Sequence, residues 1–120
     1  MQLNFIDNEP HASFSGRILP MIDPSDGQPF DDIQRSDERD IDAAVRAARA
    51  CFEGPWGRLS AAERGRLLMA LSRQVAEHAD ELAALEQRDC GKPTKQARAD
   101  AAALARYFEF YAGACDKLHG

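Results

Sequence analysis

The sequence is short of cysteine and histidine and has no block of basic residues, and each shortage removes a class of function. Cys51, Cys90 and Cys115 are odd in number, widely spaced and set on predicted helices, so reduced thiols are expected and a disulfide framework is not. His11, His78 and His119 show no metal-ligand spacing. Fifteen basic residues against 20 acidic ones leave a net charge of -5 with the signs interspersed, which argues against nucleic acid or an anionic membrane as a partner. No segment approaches the ~20 apolar residues of a membrane span. Met1-Gln2-Leu3-Asn4 lacks the basic start and apolar run of a signal peptide, so a cytoplasmic protein is expected. At 120 residues the chain makes at most one ordinary domain.

What is present begins with short strands over residues 1–35. Leu3 to Ile6 is a brief β run, Asp7-Asn8 can supply the positive φ angles of a hairpin turn, and Glu9 to Phe14 returns, weakened by Pro10. A second hairpin runs from Arg17 to Ile22, turns through Asp23-Pro24-Ser25-Asp26-Gly27 and pairs back over Gln28 to Ile33. Pro20 and Pro29 lack the ladder N–H, which places them on edges or at strand ends. Two hairpins alone are marginal and need helices or another sheet to cover them.

Residues 36–120 read as three to four helices. Ser36 or Asp37 caps the first, with Asp37, Glu38 and Asp40 in its first turn and Ile41, Ala44, Val45, Ala48 and Phe52 along one face. Gly54-Pro55 ends it, and Trp56 is expected as a packed wedge in a loop over Phe52 to Leu59, the nearest thing to a linker. Ser60-Ala61-Ala62-Glu63 is a capping box, followed by a buried stripe of Leu67, Leu68, Leu71 and Val75, with Arg64, Arg66 and Arg73 toward solvent. His78-Ala79-Asp80 predicts a break, after which Leu82, Ala83 and Leu85 carry a helix on to Cys90.

Gly91 is a natural left-handed helix stop, Pro93 cannot extend the incoming helix, and Thr94 can cap the next, so two helices meet at a tight corner. The last helix repeats Ala97, Ala101, Leu104, Ala105, Phe108, Tyr111, Ala112 and Cys115 at helical spacing, and Tyr107, Phe110 and Ala114 widen the stripe. That arc is too broad for a helix lying on one surface, and its alanines point to close backbone approach by a second element.

The candidate chemical motifs mostly have plainer explanations. Gly91-Lys92 fails as a phosphate loop, because Glu86 stands where the first Gly is needed and Pro93 where Ser or Thr would follow; a helix stop with a cation near the negative dipole end accounts for both residues. Cys90 sits where a helix C-terminus opposes thiolate formation, and no His lies nearby, so Cys90 and Cys115 are expected as small buried hydrophobes. Asp100, among Ala97, Ala99, Ala101, Ala102 and Ala103, lies either on an exposed edge or partly buried beside a cation or backbone amides.

Taken together these landmarks resemble the N-terminal part of the NAD(P)-dependent aldehyde dehydrogenase superfamily over essentially all 120 residues. The resemblance is carried by Asn4-Phe5-Ile6-Asp7-Asn8-Glu9, Ile22-Asp23-Pro24-Ser25-Asp26-Gly27, Asp40 to Arg49, Trp56, Ser60-Ala61-Ala62-Glu63-Arg64, Glu81-Leu82-Ala83, Leu85-Glu86, Gly91-Lys92-Pro93, Tyr111-Ala112-Gly113 and Asp116-Lys117-Leu118-His119-Gly120. It implies an α/β parent of Rossmann-like fold, of which this segment is the mostly helical part: two hairpins over 1–35 and cofactor-domain helices over 36–120. The catalytic domain is absent. It also implies a parent that oxidises an aldehyde with NAD or NADP and forms a homo-oligomer.

The family's nucleophilic Cys, general-base Glu, oxyanion-hole Asn and dinucleotide-binding sheet have no counterpart here, so no catalytic or cofactor-binding residue is assigned and the chain alone is expected to be inactive. By the same resemblance, Ile22 through its carbonyl and Asp100 through its carboxylate are candidate ligands of a structural Na+ or K+. The competing expectation is a stand-alone helical interaction module that binds a partner through the Phe108/Tyr111 face; the overfull apolar helix and the abrupt end at His119-Gly120 favour the first reading.

Overall fold

A computed structural model describes residues 1–117, so Leu118, His119 and Gly120 of the expected closing signature lie outside the described residues. Strands β1 (Asn4–Ile6) and β2 (Glu9–His11) form the first hairpin, and β3 (Ile18–Ile22) and β4 (Pro29–Gln34) the second; helices α1 (Glu38–Glu53), α2 (Pro55–Arg58), α3 (Ala61–Glu77), α4 (Ala79–Cys90) and α5 (Thr94–Ala114) follow. They divide into two compact units, Met1–Arg58 and Leu59–Gly120, with the division inside the stretch expected as a linker.

In the first unit both hairpins are antiparallel two-stranded ribbons. Asp7 and Asn8 take φ of 54° and 64°, the two-residue turn that matches strand twist, and pair Ile6 with Glu9. The return strand stops at His11, shorter than expected. In the second turn the Asp23 carboxylate accepts from the Ser25 N–H at 2.9 Å, and Gly27 takes a φ of 73°. Both strand prolines fall where an N–H is dispensable: Pro20 on a ribbon edge and Pro29 at the first position of β4.

Asp37 caps α1 in a reciprocal box with Asp40. Asp40 goes further than the cap. Only 3% exposed, it accepts from the Asp37 N–H (2.9 Å), the Phe14 N–H (3.1 Å) and Asn4 Nδ2 (3.3 Å), joining the helix start to the first hairpin and to the segment after it. This hub turns Asp40, Ala43, Ala44 and Ala47 inward, whereas Ile41, Val45 and Phe52 of the expected apolar face are exposed. The stretch after Gly54 is a helical turn, α2, and not the expected loop, because Pro55 supplies the fixed φ of a first helical residue; Trp56 rides on it at 39% exposure.

In the second unit the Ser60/Glu63 capping box starts α3, and His78 ends it and begins α4, as the sequence break predicts. The buried face of α3 is Gly65, Ser72 and Val75, with Leu68 half-buried, so the expected leucine stripe is rotated: Leu67 and Leu71 are 50% and 43% exposed. The cause is how closely α5 approaches. A Cβ on Gly65 would stand 2.7 Å from the Ala112 carbonyl oxygen, and Ser72 Oγ donates to the Ala105 carbonyl at 2.8 Å. Only small residues fit that line, and α5 answers with buried Ala97, Ala101, Ala105 and Ala112. Leu104, Tyr107, Phe110 and Tyr111 point away and are exposed.

Candidate functional site

The corner between α4 and α5 is where the sequence concentrates its candidate chemistry. Gly91 ends α4 with a φ of 70°, which few residues but glycine adopt easily. Pro93, not Thr94, takes the cap position of α5, since its lack of an N–H costs nothing there; Thr94 instead donates from Oγ1 to Gln87 Oε1 at 2.8 Å, tying the two helix ends together.

Lys92 projects between two carboxylates. Its ammonium donates to Asp100 Oδ2 at 2.6 Å and also to Glu86 Oε1. Hydrogen bonding to Asp100 first, and to Glu86 second, holds the Lys92 ammonium well above its ordinary pKa, so it stays charged across neutral pH. A phosphate-binding role is thereby further removed, because the cation is already neutralised by two acids. Asp100 lies on the exposed edge, at 50% exposure, and there it is also partnered by a cation supplied by the chain itself.

Ile22 closes β3 where the ladder register shifts, and its partner Pro29 offers no N–H to the Ile22 carbonyl. That carbonyl and the second oxygen of Asp100 are both hard donors of the kind an alkali cation takes. Among the described residues no three His, Cys, Asp or Glu side chains gather as a metal site.

Neither Cys90 nor Cys115 is a buried hydrophobe: Cys90 is exposed and Cys115, beside Gly65 of α3, is half-buried, while Cys51 is exposed as well. Cys90 Sγ donates to the Glu86 carbonyl at 3.0 Å, the ordinary back-bond of a helical thiol at a C-terminal turn. His78 pairs with Glu81 at 3.0 Å across one helical turn. Where a hydroxyl meets a carboxylate, as Ser60 Oγ does Glu63 Oε2 at 2.7 Å and Ser25 Oγ does Asp23 Oδ1 at 2.6 Å, the pair belongs to a helix cap or a turn. On α5, Ala103, Arg106, Tyr107, Phe110 and Tyr111 surround a shallow hollow of about 480 Å³, with Phe110 and Tyr111 edge to face at 5.3 Å.

Sequence reasoning missed three structural residues. Beyond a helix-start acid, Asp40 stands three residues from Asp37, the capping-box spacing; Gly65 and Ser72, seven apart, carry the helix-period signature of a close-approach face.

Among the described residues, the hairpins and helices leave many large apolar side chains exposed, and the α4–α5 corner is fastened by ion pairs. The profile of the Aldehyde dehydrogenase family matches residues 11–120, and the chain belongs to that family. The crystal structure of a Burkholderia cenocepacia protein assigned as an aldehyde dehydrogenase superimposes with a TM-score of 0.97 and 62% identity, over 98% of this chain and 25% of that one. Aldehyde dehydrogenase family 2 member B4, mitochondrial, of Arabidopsis thaliana is 44% identical over 98% of this chain and 21% of its own length. Aldehyde dehydrogenase NAD(P)+ 2 of Saccharomyces cerevisiae is 40% identical over 96% of this chain and 23% of its own. The chain therefore spans about a fifth to a quarter of these relatives, corresponding to their N-terminal part.

Proposed function

We propose that the chain is the non-catalytic N-terminal portion of an enzyme that oxidises an aldehyde to its carboxylic acid with NAD(P)+. The observation that carries this is the 62% identity to a solved relative four times as long, with the same fold throughout the shared part. In the parent, a Cys attacks the aldehyde carbon, hydride leaves to the dinucleotide, and water activated by a Glu releases the acid. All three groups lie outside these residues, whose part is to shape and support. The exposed Tyr107, Phe110 and Tyr111 on α5 are the face that the remainder of the polypeptide covers.

The same proposal includes a homo-oligomeric parent, a cytoplasmic location supported by three free thiols, and Na+ or K+ at Ile22 and Asp100 supported by the donor chemistry of each residue taken alone. Among the described residues no helix is long and apolar enough to cross a membrane.

Purified residues 1–120 should give no NAD(P)+ reduction with any aldehyde, while the polypeptide read through the downstream frame should give it; reduction by 1–120 alone overturns the assignment. A stop codon directly after Gly120 would favour the stand-alone interaction module. Crystals of the longer protein soaked in Rb+ should show anomalous density within bonding reach of Asp100, and its absence removes the cation.

A further inference from the structure

Helix α4 is attached to its unit differently from α3. It packs on α5 and only grazes α3. The residues that meet are Ala83, Ala97 and Ala101, with Ala79 and Leu82 beside them, so the contact buries small side chains. Polar fastenings stand at both ends. Near the start of α4, the Asp80 carboxylate forms an exposed ion pair with Arg98 of α5, Oδ1 to Nε 3.3 Å. Near its end, Lys92 links Glu86 of α4 to Asp100 of α5. Between α3 and α4, His78 serves both helices and makes no side-chain cap, a natural hinge.

We propose that α4 opens from α5 as a separate element of the unit, that ionic strength sets how often it opens, and that Lys92 is the latch. The geometry makes the latch two-sided. With the ammonium present, Glu86 and Asp100 attract a shared cation; without it, two carboxylates aimed at one point repel across the helix interface. Salt screens attraction in the first case and repulsion in the second. The inference is independent of the aldehyde dehydrogenase reaction.

Peptide-resolved hydrogen exchange on the full chain tests it, between roughly 0.1 M and roughly 1 M NaCl, where the Debye length falls from about 10 to about 3 Å. In the unaltered protein, exchange over residues 79–90 should speed about threefold with salt while the α3 amides stay level. Lys92→Met should exchange about fivefold faster in α4 at low salt and then slow as salt is added, the opposite sign. Lys92→Arg should restore the original sign, and should Lys92→Met fold poorly, Asp100→Asn must weaken the salt response without reversing it. The same sign in wild type and Lys92→Met, or α3 and α4 responding alike, overturns the proposal.

Discussion

The two units solve the same problem, a small core, by different means. Met1–Arg58 is organised around one buried carboxylate, Asp40, whose three acceptor bonds gather a hairpin, a connecting segment and a helix start. Leu59–Gly120 is organised around backbone approach, with Gly65 and Ser72 of α3 set against the alanines of α5. Among the described residues neither unit fully buries a large side chain. The first unit is therefore sensitive to loss of polarity, and the second to gain of volume.

Volume should give the largest effect. Gly65→Val would press two methyl groups toward an Ala112 oxygen already 2.7 Å from a first Cβ, and should cost about 2 to 3 kcal/mol in urea denaturation, while Ala48→Val on an exposed face should cost no more than about 0.7 kcal/mol. Next comes Asp40→Ala, which strands the Phe14 and Asp37 N–H groups and should cost about 2 kcal/mol, with Asp40→Asn recovering part of it. If Asp40→Ala proved neutral, the contrast between the units would collapse. Ser72→Ala removes one buried hydrogen bond without adding volume and should cost about 1 kcal/mol, which separates polarity from crowding inside the second unit.

The smallest effect is acidic. Hydrogen bonds from Arg39 lower the Asp37 pKa below its ordinary 3.8, and those from Ser60 lower that of Glu63 below 4.5. Both carboxylates therefore contribute stability that is complete above those ordinary values and is lost as pH falls through the lowered ones. Circular dichroism titrated downward from neutral pH should show helix loss in that acid range, and Ser60→Ala should flatten its share.

Local chemistry was legible and packing direction was not. The Asp7-Asn8 turn, the Ser60 box, the His78 break and the Gly91 stop each depend on a few adjacent residues, and all four stand where the sequence places them. The rotation of α1 and α3 depends on what each helix meets. An apolar stripe such as Leu67/Leu71 shows that a face seeks cover, but not whether the cover comes from the same unit; the inward faces here are chosen by Asp40 and Gly65. At Asp100 the sequence offers an exposed edge or a partly buried carboxylate beside a cation; the residue is exposed and still partnered, and the partner, Lys92, is hidden in the sequence because it reaches across a corner eight residues away.

The single residue His78 between α3 and α4 lets the junction bend but fixes the phase of one helix on the other. Each residue added or removed there would index α4 by about 100°, one tooth of a ratchet, carrying Ala83 away from Ala97. At this junction the number of residues, more than their identity, sets which face of α4 meets α5.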